Sequence, residues 1–184
     1  MFRATIILTL LSGLITVVPV LAAPPVNDDA VAVVVGNRSY KNKHIPAVTY
    51  AHNDAAAMKR YLMNVLGYRE GNIIYLKDAT QAEMQSAFGN NVTHKGKLWR
   101  FIRKGVSDVT VFYSGHGVPG LKDKRGYLLP VDADPNAPEI NGFPMDVLYK
   151  NLSQLGARSV TVYIDACFSG DSSAGLLIKS AEPN

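Results

Sequence analysis

Three short stretches rich in β-branched and aromatic residues limit what this chain can fold into. They span Val31–Val35, Val109–Tyr113 and Ser159–Ile164. Stretches of this length without polar alternation are typical of strands that are buried on both faces, as in parallel sheets. A fourth, shorter strand is predicted over Asn72–Lys77.

Helical segments separate these strands. One has a capping residue at Asn53 and Asp54 in its first turn, and the chain can leave it at Gly67. Its apolar residues recur at helical spacing and predict one buried stripe: Met58, Tyr61, Leu62, Val65 and Leu66. A capping box at Thr80–Glu83 opens another helix, and a further one is predicted over Met145–Leu155 with Val147, Leu148, Leu152 and Leu155 inward. Gly89–Gly105 is ambiguous. The alternation predicts an α/β domain with a mostly parallel sheet and helices on both faces.

The last predicted strand is apolar but is expected at an exposed edge of the sheet. Only 17 residues follow Cys167, so the strand Ser159–Ile164 is expected at or near an exposed edge. Proteins normally cover a long apolar edge because it templates aggregation. Either a second chain covers it or the sequence stops short of the complete domain, and we favour the second interpretation.

The N-terminus resembles an export signal. Arg3 is the only charged residue before Asp28, and the apolar stretch between them ends in small residues that predict cleavage after Ala22. The alternative is an uncleaved membrane anchor over residues 4–23. We therefore expect a signal peptide over 1–22, a linker over 23–29, one domain over 30–184, and a periplasmic or extracellular location. The lone Cys167 excludes a disulfide framework and a zinc site built from paired cysteines.

The charge balance argues against nucleic-acid binding. The net charge of +4 is a small excess rather than a concentrated stripe. One local cluster is free of acidic residues and carries two aromatic side chains: Lys95, Lys97, Trp99, Arg100, Phe101, Arg103 and Lys104. This cluster could contact anionic lipid or an acidic partner, but such a run is more often one solvated helix face.

Reactive residues follow two of the predicted strands. His116 lies between Gly115 and Gly117 after one strand, and Cys167 follows another. Because the carboxyl ends of parallel strands meet at one edge of the sheet, the two side chains can meet there. Histidine is the usual base for a cysteine nucleophile.

These motifs resemble those of a known family. The segments Ser114–Gly117 and Asp165–Gly170 are similar to the two catalytic motifs of caspase-like cysteine peptidases, most closely those of metacaspases and bacterial caspase-like proteins. Phe168 departs from that branch, where histidine is common. The resemblance extends over residues 30–175 and includes Val31–Asn37 and Tyr127–Asp132. It implies a three-layer α/β/α caspase-like fold that lacks the C-terminal strands of the complete domain.

The resemblance also implies roles for individual residues. Cys167 would be the nucleophile and His116 its acid–base partner, and the amides of Gly117 and Cys167 would hold the oxyanion. In metacaspases an acidic pocket accepts Arg or Lys before the scissile bond, and the matching positions are Asp54, Ser114 and Asp165. Alternatively, Asp54 supports its helix dipole and Asp165 is a strand-end turn residue.

No cofactor is expected. Some metacaspases bind an activating Ca²⁺, but Asp123, Asp132 and Asp134 make a poor Ca²⁺ site because basic residues lie among them. The expected partners are a peptide or protein substrate and either a second copy or a C-terminal subunit at the sheet edge, with a membrane only if residues 4–23 are uncleaved. Two other functions stay open: a non-catalytic or partner-dependent binding module of the same fold and, more weakly, a flavodoxin-like small-ligand binder.

Overall fold

The computed structural model describes residues 26–168 and, for the backbone alone, residues 171–172 and 175–176. The predicted signal segment lies outside these residues. The elements are, in chain order, β1 (Val31–Gly36), α1 (Ala51–Asn64), β2 (Ile73–Lys77), α2 (Gln81–Phe88), α3 (Lys97–Phe101), β3 (Asp108–Ser114), β4 (Gly117–Pro119), β5 (Gly126–Leu128), α4 (Pro138–Asn141), β6 (Phe143–Pro144), α5 (Met145–Ser153), β7 (Ser159–Asp165), β8 (Asp171–Ser172) and β9 (Gly175–Leu176).

A four-stranded parallel sheet in the order β2-β1-β3-β7 forms the centre of the fold. All six residues of β1 are buried. On one face of the sheet, Val34 packs with Leu62 of α1. On the other face, Val33 shares a core with side chains of α2, α3 and α5: Met84, Phe88, Leu98 and Leu148. The predicted α/β architecture with helices on both faces is confirmed.

Helix α1 begins earlier than predicted and buries a different face. Its N-terminal residue is Ala51 rather than a residue after Asn53, because the Ala51 amide already bonds the Val48 carbonyl. Its fully buried positions are Ala51, Ala55 and Leu62. The small residues allow close approach to Gly36, where an added Cβ would lie 2.6 Å from the Ala51 oxygen. Four residues of the predicted stripe are not fully buried: Met58, Tyr61, Val65 and Leu66.

Strand β7 differs most from its sequence pattern. Burial on both faces was the wrong expectation, because none of its seven residues is fully buried. Val160 is 39% exposed and Tyr163 is 50% exposed. Within the described part of the chain, β7 is an edge of the four-stranded sheet. An edge position for this strand was expected, and it accounts for the exposure.

A small antiparallel sheet, β4-β5-β6, lies beyond the carboxyl end of β3 and was not predicted. Its strands have two or three residues, which is too short for hydropathy alternation to show. The capping box at Thr80–Glu83 is present, and the predicted C-terminal helix is confirmed as α5. Among the described residues, no helix has the length and apolar character needed to cross a bilayer.

Candidate active site

The register of β3 and β7 brings the two sequence motifs together. The strands pair in parallel up to Ser114 and Asp165, and the Gly115 amide then donates to the Asp165 carbonyl at 3.2 Å. His116 and Cys167 each lie two positions beyond this last pair. Neighbouring strands are about 4.8 Å apart, so both residues lie at the same corner of the sheet.

Direct contact between the two motifs comes from Phe168. Its ring lies so close to Gly117 that a Cβ added there would be 2.6 Å from the ring. The same ring lies 3.5 Å from a Cβ position on Gly126. Phe168 therefore packs on the β4–β5 hairpin at positions without side chains. This packing gives a physical role to the residue that departs from the metacaspase pattern.

The imidazole of His116 is held by a backbone carbonyl. Its Nε2 lies 2.8 Å from the oxygen of Pro46. A carbonyl only accepts, so Nε2 carries the proton and Nδ1 is left as the acceptor. Burial lowers the pKa of His116 below its ordinary 6.5, although the bond to Pro46 opposes this shift. The ring is therefore neutral at pH 7 and able to take a proton.

Two tyrosines fix the backbone around His116. The His116 amide donates to the Tyr40 hydroxyl at 2.8 Å, and the centres of the Tyr40 and His116 rings are 5.1 Å apart. The Tyr113 hydroxyl donates to the His116 carbonyl, also at 2.8 Å. Sequence reasoning missed both tyrosines and Pro46. Tyr40 and Pro46 lie 76 and 70 residues away along the chain, and no local pattern signals such contacts.

The amide of Gly117 is not used by the small sheet. Gly117 faces Leu128 across the β4–β5 pair, and the Leu129 amide donates to the His116 carbonyl just beyond it at 2.9 Å. This pattern makes Gly117–Leu128 a non-hydrogen-bonded pair, so the Gly117 N–H is directed away from β5. An amide in this position is available to a ligand.

Two carboxylates share an open pocket beside this corner. The pocket has a volume of about 420 Å³, and its lining includes Asp54 from α1 and Asp165 from the end of β7. Neither carboxylate has an ion-pair partner within the described residues. Asp54 also lies in the first turn of α1, so its helix-dipole role is retained.

Ser114, the third predicted pocket residue, is not part of the lining. It is fully buried, and its Oγ has no hydrogen-bond partner among the described residues. Ser114 pairs with Asp165 in the sheet, so both side chains are on the sheet face that carries α1. A buried hydroxyl without a partner is costly, and such groups cluster where ligands bind.

The acidic residues considered for Ca²⁺ do not form a site. Asp123 accepts from the Tyr127 hydroxyl at 2.7 Å, whereas Asp132 accepts from the Gln81 amide at 2.8 Å and Asp134 from the Asn136 amide at 2.9 Å. In the part of the chain that the structure describes, no three His, Cys, Asp or Glu residues are placed to hold a metal ion. These residues therefore do not fit a Ca²⁺ ion.

Comparison with known families agrees with this arrangement. Residues 29–184 match the model of the caspase domain, which covers both sequence motifs and every residue of the site. No curated protein matched the chain. Because the match spans most of the chain, this protein belongs to the caspase domain family of cysteine peptidases.

Proposed function

We propose that this protein is a cysteine endopeptidase that cleaves peptide bonds after Arg or Lys, with Cys167 as the nucleophile and His116 as its acid–base partner. The observation that supports the proposal most strongly is the β3–β7 register. In it, His116 and Cys167 each lie two residues beyond the last paired positions, Ser114 and Asp165. Cys167 is exposed and therefore accessible to a substrate.

The neutral imidazole sets the order of proton transfers. The Cys167 sulfur attacks the substrate carbonyl carbon while the thiol proton passes to Nδ1 of His116. His116 then gives this proton to the departing amine as the C–N bond breaks, which leaves a thioester on Cys167. A water molecule next gives a proton to His116 and its oxygen attacks the thioester. The acid product leaves, and the proton returns to the sulfur.

The oxyanion of each tetrahedral intermediate needs donors that are otherwise free. The Gly117 N–H is directed away from β5 and meets this requirement. The Cys167 amide would be the second donor. Removal of one such donor commonly lowers kcat by about 100-fold or more.

Charge in the pocket supports the preference for basic residues. Asp54 and Asp165 bring two unpaired carboxylates to one pocket, and a guanidinium group pairs well with carboxylates. The Ser114 hydroxyl lies beside Asp165 on the same sheet face, but it is fully buried and does not line the pocket. An aspartate side chain would be repelled from this pocket.

Hydrolysis of fluorogenic peptides that end in Arg, Lys or Asp tests the proposal. The full chain should cleave the Arg and Lys peptides, and Cys167→Ala and His116→Ala should each abolish turnover with an unchanged circular dichroism spectrum. Turnover that survives Cys167→Ala would refute the assignment of the nucleophile. Cleavage after Asp alone would refute the assignment of the pocket.

A matched pair of charge variants tests specificity separately. Asp165→Asn and Asp54→Asn should each raise KM for the Arg peptide by about tenfold, with a smaller change in kcat. Glu70→Gln removes the same charge from an exposed pair with Lys59 and should change neither constant. Equal effects of all three variants would show a general charge effect rather than a pocket.

A second candidate, a partner-dependent module of the same fold, is favoured by the exposure of β7. This strand keeps an apolar side chain on its surface at Tyr163, and a groove of about 630 Å³ separates its face from α1. A C-terminal subunit or a second copy that pairs with β7 would cover this edge. If the isolated chain is folded but inactive and gains Cys167-dependent turnover on association, this candidate is supported.

The proposed location is the periplasm or the extracellular space, after cleavage behind Ala22. Mass spectrometry of the protein isolated from its host tests this proposal, because a processed chain begins at Ala23. A chain that retains residues 1–22 would favour the membrane-anchored alternative.

A further inference from the structure

A second surface combines positive charge with exposed apolar side chains. It lies on α3 and the segments that flank it, on the outer side of the sheet face covered by α2 and α5. We name it the basic–aromatic surface, and it comprises Val92, Lys95, Lys97, Trp99, Arg100, Phe101 and Lys104. The segment leads into the first residue of β3, and a Cβ on Gly156, just before β7, would lie 3.0 Å from the Lys104 side chain, so this surface reaches the amino ends of β3 and β7. The candidate active site lies at the carboxyl ends of the same two strands.

Within the described residues no cation of this surface is held in a close ion pair, although Lys97 is near enough to Glu83 to lower the pKa of that carboxyl. Arg103, next to it, pairs with Asp29 at 2.6 Å. In contrast, none of the four cations of the surface has a carboxylate at ion-pair distance within residues 26–168. Lys95 instead lies over the ring of Trp99, with 5.3 Å between the ammonium and the ring centre. Four unpaired cations therefore face solvent together.

The apolar side chains of the surface are exposed beside these cations. Trp99 is 39% exposed, Phe101 is 42% exposed and Val92 is 85% exposed. Leu98, between the aromatic residues, is buried in the main core and fixes α3 to the domain. The aromatic rings are thus presented outward on a fixed element. Tryptophan and phenylalanine beside lysine and arginine are the composition of helices that bind at a bilayer interface.

From this combination, we infer that the basic–aromatic surface binds the headgroup region of anionic lipid bilayers. Charge complementarity supplies the attraction, and the exposed rings supply apolar area that can enter the boundary of the acyl chains. An acidic protein would satisfy the cations alone, whereas a bilayer satisfies both the cations and the rings.

The position of the surface also fits a bilayer. Asp29 is bound to Arg103, so the described chain begins at the same end of the domain. If the uncharged stretch over residues 4–23 is retained, as in the membrane-anchored alternative, it would hold this end of the domain at the bilayer. Cys167 and His116 are not part of the basic–aromatic surface, so lipid binding there would leave the candidate active site free.

Co-sedimentation with lipid vesicles tests this inference. The full chain is mixed with vesicles of phosphatidylcholine alone and with vesicles that also contain phosphatidylglycerol. Residues 1–23 are the same in the wild type and in every variant, so the difference between them isolates the contribution of the substituted cations. The test variant replaces four cations with glutamine: Lys95, Lys97, Arg100 and Lys104. The control variant removes the same charge from loops outside this surface: Lys41, Lys43, Lys122 and Lys124.

The wild type should bind the anionic vesicles more tightly, and added salt should weaken this preference. Each cation contributes roughly fivefold to the affinity for anionic vesicles, so loss of four should lower the preference of the test variant by about 600-fold, while the control keeps it. Trp99→Ala should weaken binding to anionic vesicles without changing the salt dependence. Equal binding of the wild type to both vesicle types, or equal losses in the two four-residue variants, would overturn the inference.

Discussion

The two ends of the β3–β7 pair use the same two strands in opposite ways. At the amino end, Asp108 accepts from the Arg158 guanidinium and from the Ser159 hydroxyl. At the carboxyl end, the Ser114 hydroxyl has no partner among the described residues, and Asp165 has no cation. One end satisfies its polar groups within the protein, whereas the other leaves them without partners in the described part of the chain. Such local departures from satisfied contacts are expected at functional sites.

The largest effect should come from Gly117 at the carboxyl end. In Gly117→Ala the new methyl group would overlap the Phe168 ring, because its position lies 2.6 Å from a ring carbon. The segment after Cys167 must then shift, and we expect kcat/KM to fall by about 100-fold or more. Gly71→Ala is the matched control, since no atom lies within 4 Å of its Cβ position. Equal activities of the two variants would show that this contact does not matter.

The pH dependence of kcat/KM should show the titration of His116, which also lies at the carboxyl end. Burial lowers the pKa of His116 below 6.5. Acid protonates the ring and removes the base, so activity should rise with pH along a limb whose midpoint lies below 6.5. A rate profile for the Arg peptide measures this midpoint. A midpoint above 7 would contradict the neutral ring.

A smaller effect is expected from Tyr40, which acts through His116 as a positioning residue. Tyr40→Phe keeps the ring but removes the acceptor of the His116 amide, and kcat should fall by about tenfold with a shifted acid limb. Tyr68→Phe, in turn, removes a buried hydroxyl that bonds Thr110 on another part of the sheet. Both variants should lose about 1 kcal/mol of stability, but only Tyr40→Phe should lose activity. Matched activity losses would reduce Tyr40 to a structural role.

The smallest effect should come from the amino end, where the contacts serve stability alone. The bond from Arg158 holds the pKa of Asp108 at about 2, below its ordinary 3.8. This carboxylate therefore stabilises the fold above about pH 4, and the contribution is lost as the pH falls through about 2. Asp108→Asn should cost about 1 kcal/mol at pH 7, with unchanged kcat. Thermal unfolding at pH 7 and near pH 2 checks whether the difference disappears in acid.

Local patterns predicted the central strands and two helices. Val31–Val35 lies between two neighbouring strands and is buried on both faces, as its uninterrupted apolar sequence predicted. The capping box at Thr80–Glu83 is also a local signal, because its two hydrogen bonds join residues three positions apart. Because β3 and β7 are parallel neighbours, the strand ends that precede His116 and Cys167 lie at one edge of the sheet, as the sequence predicted.

The patterns failed where burial depends on a distant neighbour. Strand β7 has nearly the same residue types as β3, but within the described residues it has a strand on one side only. The stripe predicted on α1 failed for a related reason, since Tyr61 lines the groove beside β7 instead of a core. Pro46 and Tyr40 reach His116 through a long loop, and a loop without periodicity gives no sequence signal for such contacts.

Covalent labelling measures the central claim most directly, because it requires one reaction and no turnover. The full chain is treated with a peptidyl fluoromethyl ketone that ends in Arg, and the adduct is located by mass spectrometry. We predict a single adduct on Cys167 that is strongly reduced in His116→Ala and in Asp165→Asn. A matched reagent that ends in Asp should react much more slowly. Equal labelling by both reagents, or labelling that does not depend on His116, would contradict a Cys167–His116 pair beside an acidic pocket.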